Sequence, residues 1–490
     1  MSNFETGDRK HGYHFTFALH TMLREKVPHE KTVETKKPLI TLWNALLARE
    51  GIVAYLPIIV ATMLMFWGAS WQFFWLHTDA ARYQCYALTY WLGSSAVHYL
   101  PTVQCSFLNV SNLAQPQPPF HMLPLEYPPF TLVIFLLALL APLAYYQIVF
   151  AVFMALAGVL IYWLLLRYGP RGAGLAFALY MLIGAAATAE GRFDLVPVAL
   201  TLLCLIAAER KHWTSAYVAL AFGFLLKIYP LLLLPTLFIA EQQDAQRFYN
   251  PQEPLTLKSL PGEIWHTLQG IRHWHWKNTL IFFGIILVVT GFFALFDFKG
   301  AVLSQLSYFA NRPVQVEATA SPLLWLGTLL GYPVQSVYTY GSINFVSALG
   351  GPVALVFELL FVLGYIYAIF LQWRGKLDIV QAFIVLLLVF IVTGKVFSPQ
   401  YLIWIIPLLA YSGAFDAFWL VTWGAISILT TMIYPYFYTR TTNGLEAPFV
   451  PGFMQSVTAR NALFVLLTLA YLFNWLYARR RKPLPQTDSK

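Results

Sequence analysis

The chain has 490 residues, of which 59% are hydrophobic and only 11% charged, and its mean hydropathy is +0.62. A soluble domain has no use for so much apolar surface, so composition predicts an all-α polytopic membrane protein. The formal charge of +9 does not imply nucleic acid, because membrane proteins gather Lys and Arg in cytoplasmic loops. Three cysteines (Cys85, Cys105 and Cys204) exclude a disulfide framework and a thiolate metal cluster. Cys85 and Cys105 share one polar loop. They either pair there, if the loop faces an oxidising side, or stay as two free thiols.

Residues 1–50 mix acids with Arg9, Lys10, Arg24, Lys26, Lys31, Lys36, Lys37 and Arg49. They read as a cytoplasmic tail with no cleavable signal peptide. Residues 51–478 are expected to form one multi-span membrane domain, followed by a second cytoplasmic tail over 479–490 that contains Arg479, Arg480, Arg481 and Lys482. The first span, 51–75, ends in the aromatic belt Phe66, Trp67, Trp71, Phe73, Phe74 and Trp75, which places His77 and Asp79 outside.

Residues 76–128 form the first outer loop. Tyr83, Tyr86, Ala87, Tyr90 and Trp91 recur at helical spacing, which predicts a helix resting on the outer leaflet. The prolines of Gln115-Pro116-Gln117-Pro118-Pro119 then break regular structure, and Tyr127-Pro128-Pro129 opens the next helix.

Apolar segments follow at 129–143, 146–166, 172–190 and 193–208. The short first one, hemmed by prolines, is expected to be a re-entrant or tilted half-helix. Lys227-Ile228-Tyr229-Pro230 interrupts the apolar run 214–240, where a buried Lys beside a helix breaker is costly unless it lines a polar cavity. The polar stretch 241–278 reads as a cytoplasmic loop, with His273, Trp274, His275 and Trp276 as an interfacial anchor rather than a metal pair. Further spans are expected at 279–296, 345–371, 377–393, 402–415, 417–434 and 461–477. A short apolar piece at 321–332 dips into the membrane. The total is roughly ten to thirteen hydrophobic segments with both termini inside.

The informative polar residues fall at the outer ends of these segments: His77, Asp79, Glu126, Arg192, Asp194, Arg312, Lys395 and Gln400. A transporter would more often place them near the bilayer midplane. The order of Asp79, Tyr127-Pro128-Pro129, Gly191-Arg192-Phe193-Asp194, Lys227-Ile228-Tyr229-Pro230 and Phe397-Ser398-Pro399-Gln400-Tyr401 resembles the GT-C glycosyltransferases. It is most similar to the bacterial family 87 branch of polyprenol-phosphate-mannose-dependent α-mannosyltransferases. The resemblance runs over roughly residues 50–480, with two departures. Asp79 stands alone where many GT-C enzymes have paired acids, and Arg192 stands where a Gly-Gln pair is common.

The resemblance implies a GT-C-type helical bundle with a large first extracytoplasmic loop, working at the cell membrane. It also implies a polyprenyl-phosphate-sugar donor and a glycolipid or glycan acceptor. Asp79 is then the expected general base, against the alternative that it only caps the following helix. Lys227, Arg192, Lys395 and Arg312 are the candidates for the donor phosphate, since Arg forks onto phosphate and Lys acts as a point charge. The alternatives are snorkelling for Lys227, an ion pair of Arg192 with Asp194, and ordinary loop cations for Lys395 and Arg312. Glu126, Tyr127, Asp194, Tyr229, Gln400, Tyr401 and His77 are expected around the substrate. His77 and His121 make a poor metal site. No Asp-x-Asp is present to hold a divalent ion against a diphosphate, so neither metal nor cofactor is expected. A transporter or flippase of lipid-linked sugars remains the alternative reading.

Overall fold

A computed structural model describes residues 46–47, 51–108, 116–247 and 260–473. The expected tails, 1–50 apart from residues 46–47, and 479–490, lie outside the described residues, as do 109–115 of the first outer loop, 248–259 of the polar stretch and 474–478 at the end of the last span.

The helices are α1 Leu56–Ala69, α2 Asp79–Leu92, α3 Leu132–Leu137, α4 Tyr146–Tyr168, α5 Ala173–Gly184, α6 Leu195–Glu209, α7 Trp213–Leu226 and α8 Leu234–Asp244. They continue with α9 Leu260–Gln269, α10 Lys277–Ala294, α11 Ser304–Asn311, α12 Ser321–Gly327, α13 Gly350–Trp373, α14 Ile379–Thr393, α15 Tyr401–Ser412, α16 Ala417–Thr431 and α17 Phe453–Leu472. Six stretches are long and apolar enough to cross a membrane: Ile52–Gln72, Leu143–Tyr168, Lys277–Ala294, Gly350–Trp373, Ala417–Arg440 and Phe453–Leu472. Seven shorter apolar helices accompany them among the described residues. The fold is an all-α multi-pass membrane protein.

Two helices show why lipid is the solvent. Helix α14, and α13 apart from Glu358, are apolar around nearly their whole circumference. An all-round apolar helix must be buried in protein or in a bilayer. Helix α14 takes the first course, with Phe383 to Val389 all buried, and a capping box of Asp378 and Gln381 starts it. Helix α13 takes the second: Leu355, Leu359, Leu363 and Ile366 remain at least half exposed. Around α14 pack α13, α15 and α17, while α5 joins α1, α15 and α16, and α7 lies between α6 and α10.

Helix α2 does not rest on a leaflet as its spacing suggests. Ten of its fourteen residues are buried, and it packs on α3 and α4. Its aromatic side chains fill the bundle: Tyr83 stacks on Phe135 at 4.4 Å between ring centroids. Cys85 and Cys105 are joined as a disulfide that fixes the loop after α2 to the helix, and Gln104 donates to the Ala81 carbonyl at 2.9 Å. The segment Pro129–Leu140 is a broken helix too short to cross a bilayer core of about 30 Å. This is the half-helix its prolines predict.

One small sheet was not foreseen. Strands β1 Val314–Gln315, β2 Gln335–Thr339 and β3 Ser342–Val346 pair antiparallel in the order β1-β3-β2. Val314, Val316, Ile343 and Phe345 pack with Phe437, Phe453, Met454 and Val457 in a second apolar core. This sheet roofs the functional site.

Candidate active site

A cavity of about 1070 Å³ opens where α2, the 185–194 turn, the 227–233 segment, the sheet and the 396–401 turn meet. Four cations (Arg82, Arg192, Lys227 and Arg312) and three carboxylates (Asp79, Glu126 and Glu317) line it. Of the residues expected from sequence, Asp79, Arg192, Lys227, Arg312, Glu126, Tyr127, Tyr229, Gln400, Tyr401 and His77 all line this one cavity.

Asp79 is the first residue of α2 but does not cap it. Thr78 does, its hydroxyl accepting from the Ala81 N–H at 3.1 Å. The carboxylate is free of that duty and points at guanidinium groups. Arg192 Nη2 lies 2.6 Å from Asp79 Oδ2, and Arg82 Nη1 lies 3.8 Å from Oδ1. One-fifth of the side chain stays exposed to the cavity.

The Gly191-Arg192-Phe193-Asp194 turn sends its side chains in three directions. Arg192 reaches Asp79, and Phe193 plugs into Tyr83, Tyr127 and Phe135. Asp194, which is buried, pairs with Lys227 and accepts from Trp404 Nε1 at 2.5 Å. The alternative of an Arg192–Asp194 pair gives way to two separate pairs, Arg192 with Asp79 and Asp194 with Lys227, on either side of the core-facing Phe193.

Lys227 does not sit within one continuous span. Helix α7 stops at Leu226, since Pro230 has no N–H for the Leu226 carbonyl, and Lys227 is extended at the break. Its ammonium faces the rings of Phe193 at 4.9 Å and Trp404 at 5.1 Å. Trp404 in turn stacks on Tyr401 at 3.9 Å and Tyr229 at 4.4 Å, forming an aromatic wall beside the cation.

Two placements differ from expectation, those of Lys395 and Asp194. Lys395 does not line the cavity: its ammonium pairs with Glu358 at 2.7 Å while its carbonyl accepts from the Gln315 N–H. Its neighbours Val396, Ser398, Pro399, Gln400 and Tyr401 turn inward instead. His121 is exposed and bonds the Pro119 carbonyl. Asp194 lies beneath Lys227 rather than on the cavity surface.

Sequence reasoning missed Arg82, which pairs with Glu126 across a separation of 44 residues. Burial pushes the Glu126 carboxyl above the usual carboxylate range, against the pull of Arg82. It also missed the roof. The β2–β3 hairpin turns through Tyr340 and Gly341, both with positive φ, as a two-residue type I′ turn requires. A Cβ on Gly341 would sit 2.6 Å from Arg82 Nη1 and 3.3 Å from Glu126 Oε1. Tyr308 donates to the Tyr340 carbonyl, and Arg312 to Ser342 at 2.7 Å, so the hairpin is pinned over the Arg82–Glu126 pair. Gly341→Ala is expected to push Arg82 off Glu126 and slow turnover about tenfold, while the positive φ costs about 1–2 kcal/mol of stability. Turnover and thermal midpoint measured on the same preparation check this.

Next to Arg192, Glu190 is fully buried and neither carboxylate oxygen has a hydrogen-bond partner. Burial pushes its carboxyl up to about 8 from an ordinary 4.5. The folded chain then holds a proton that the unfolded chain releases, so this contribution is complete below pH 4.5 and disappears as pH rises through about 8. Thermal stability should fall across that window by at most about 1.4 kcal/mol per pH unit on this account. Glu190→Gln should flatten the profile.

The fold and the cavity define a multi-pass membrane protein with a charged, aromatic-lined pocket at the ends of its helices. Residues 125–249 match the model of glycosyltransferase family 87, as the motif order leads one to expect. The matched stretch contains Glu126, Tyr127, Arg192, Asp194, Lys227 and Tyr229. No curated relative matches the chain. The match supports a membrane glycosyltransferase, and with it a sugar donor and an acceptor.

Proposed function

We propose that the protein moves a sugar, mannose in this reading, from a polyprenyl-phosphate donor to a glycolipid or polysaccharide acceptor. The reaction takes place on the outer face of the cell membrane, with both termini cytoplasmic. The observation that carries the proposal is the placement of Asp79 in one cavity with Arg192 and Lys227. Asp79 takes the proton of the acceptor hydroxyl as its oxygen bonds to the anomeric carbon, and the bond from that carbon to the phosphate oxygen breaks with inversion. The leaving group is a lipid phosphate whose growing charge needs fixed cations, and Arg192, Lys227 and Arg312 supply them. Leu231, Leu232, Phe361 and Phe390 give the cavity an apolar side suited to the polyprenyl chain. Tyr401 and Tyr229 offer ring faces and hydroxyls to the sugar. None of these steps calls for a metal or cofactor.

The test is transfer from radiolabelled polyprenyl-phosphate-mannose in membranes that contain the protein, against matched membranes without it. Labelled product that depends on the protein supports the reading. Label that crosses the bilayer still attached to its lipid favours a flippase instead.

A further inference from the structure

We infer that Phe107, held in place by the Cys85–Cys105 disulfide, is a positioning residue for the Arg82–Glu126 pair in the active-site cavity. Phe107 lies outside both the motif order and the stretch that matches the family. Its effect on turnover rests on the proposed sugar transfer, whereas its effect on Glu126 does not.

Arg82, Cys85 and Tyr86 stand three and four residues apart on α2, so their side chains leave the same side of the helix. The disulfide returns the chain to that side after 20 residues, and two residues later Phe107 lays its ring against Arg82. The guanidinium carbon lies 4.6 Å from the ring centroid, a cation–π contact that is stronger for a cation shielded from water. Arg82 is such a cation, with 11% of its side chain exposed. Tyr86 meets the same ring nearly at right angles, 5.1 Å away between centroids.

The segment that carries Phe107 has little stiffness of its own, being the three-residue turn Ser106–Leu108. It is fastened just before that turn. Gln104 donates to the Ala81 carbonyl and to Gln84 Oε1, both at 2.9 Å. Cys85 and Cys105 join Leu88, Ala96 and Leu100 in a small apolar core on which Phe107 packs. The ring itself lines the cavity. Arg82 is thus held between Phe107, Glu126 and the roof, where Gly341 leaves no room for a Cβ beside Arg82 Nη1.

The place of Arg82 matters to both carboxylates near it. Its Nη1 lies 3.8 Å from Asp79 Oδ1, so it adds to the field at the proposed base without itself touching the acceptor in this reading. Burial raises the Glu126 carboxyl, Arg82 pulls it back, Asp79 pushes it up, and Arg312 adds a weaker pull. The other titratable groups around it, Tyr86, Tyr127 and Tyr308, are kept neutral by burial. When the ring face is lost Arg82 gains room, its pull weakens, and Glu126 keeps its proton to a higher pH. A side chain that only filled space would leave that pH where it is.

The experiment compares full-length wild type with Phe107→Leu, Phe107→Tyr and the double variant Cys85→Ser with Cys105→Ser. Dicyclohexylcarbodiimide, which labels protonated carboxyls, is applied across a range of pH, and label on Glu126 is read by mass spectrometry of the 116–128 peptide. Half-labelling should move up by about one pH unit in Phe107→Leu and in the double variant, and stay near wild type in Phe107→Tyr, which keeps the ring face. In the first two, single-turnover sugar transfer should fall about tenfold with the KM for donor unchanged. Phe107→Leu retains the disulfide, so its result stands even where the double variant fails to fold. Labelling that stays at the wild-type pH in Phe107→Leu overturns the inference, and so does an equal shift in Phe107→Tyr. The expected labelling shifts without sugar transfer by wild type would support the positioning of Arg82 and overturn the proposed transfer.

Discussion

Asp79→Asn is expected to lower sugar transfer by at least about a hundredfold, the usual span for loss of a general base. Asn keeps the size of the side chain and an oxygen for Arg192, so the fold and the 2.6 Å contact need not change. What it removes is the capacity to take a proton. Loss of that capacity lowers turnover, while donor affinity, which the proposal assigns to Arg192, Lys227 and Arg312, should change little. The measurement is single-turnover transfer with expression matched to wild type, together with the KM for donor. A fall in turnover with KM unchanged fits the base. A rise in KM alone would make Asp79 an anchor for Arg192. Transfer that survives Asp79→Asn would pass the role to Glu126, the lining carboxylate that pairs with Arg82 and that burial raises above the usual carboxylate range.

How much of this was legible in the chain depended on how locally each residue is determined. Lys227 was legible because a Lys beside a proline inside an apolar run is costly unless something polar receives it. Asp79 and Arg192 were legible as charges at the edges of spans, though not as partners of each other. Arg82 was not, because its role depends on Glu126, far along the chain. The Tyr338–Tyr340 roof was not, since strands of two to five residues give too short an alternation to distinguish from loop. Lys395 was misplaced for a related reason. Its neighbours carry the motif, and sequence alone does not say which way one side chain of a turn points. Helix α2 misled because a helix with one aromatic face looks the same against lipid as against protein.

Arg460→Met is expected to have the largest effect on stability, about 3–5 kcal/mol, the usual range when one partner of a buried ion pair is removed. The sequence reading began a span at 461 and left Arg460 out of account. In the structure Arg460 is wholly buried in α17 and serves Glu317. Its Nη2 donates to the Glu317 carbonyl at 2.6 Å, its Nη1 lies 3.5 Å from Oε2, and its guanidinium stacks on Phe397 at 3.9 Å. Tyr438 donates to Oε1 at 2.8 Å, and Asn461 to the carbonyl at 3.1 Å. Burial raises the Glu317 carboxyl above its ordinary range, and Arg460 restrains that rise. With Arg460 gone, Glu317 must stay charged without its cation or take up a proton, and both are unfavourable. The site would feel it, since Glu317 lines the cavity and the stacked Phe397 precedes the inward-facing Ser398 to Tyr401 turn. The check is the thermal midpoint in detergent of Arg460→Met, Glu317→Gln and the double variant. The double variant should recover part of the loss by removing the stranded carboxyl, but not the part due to the Glu317 carbonyl and the Phe397 stack. A single Arg460→Met within about 1 kcal/mol of wild type would mean that Glu317 is already neutral in the folded protein, and that the contacts to backbone and ring contribute little.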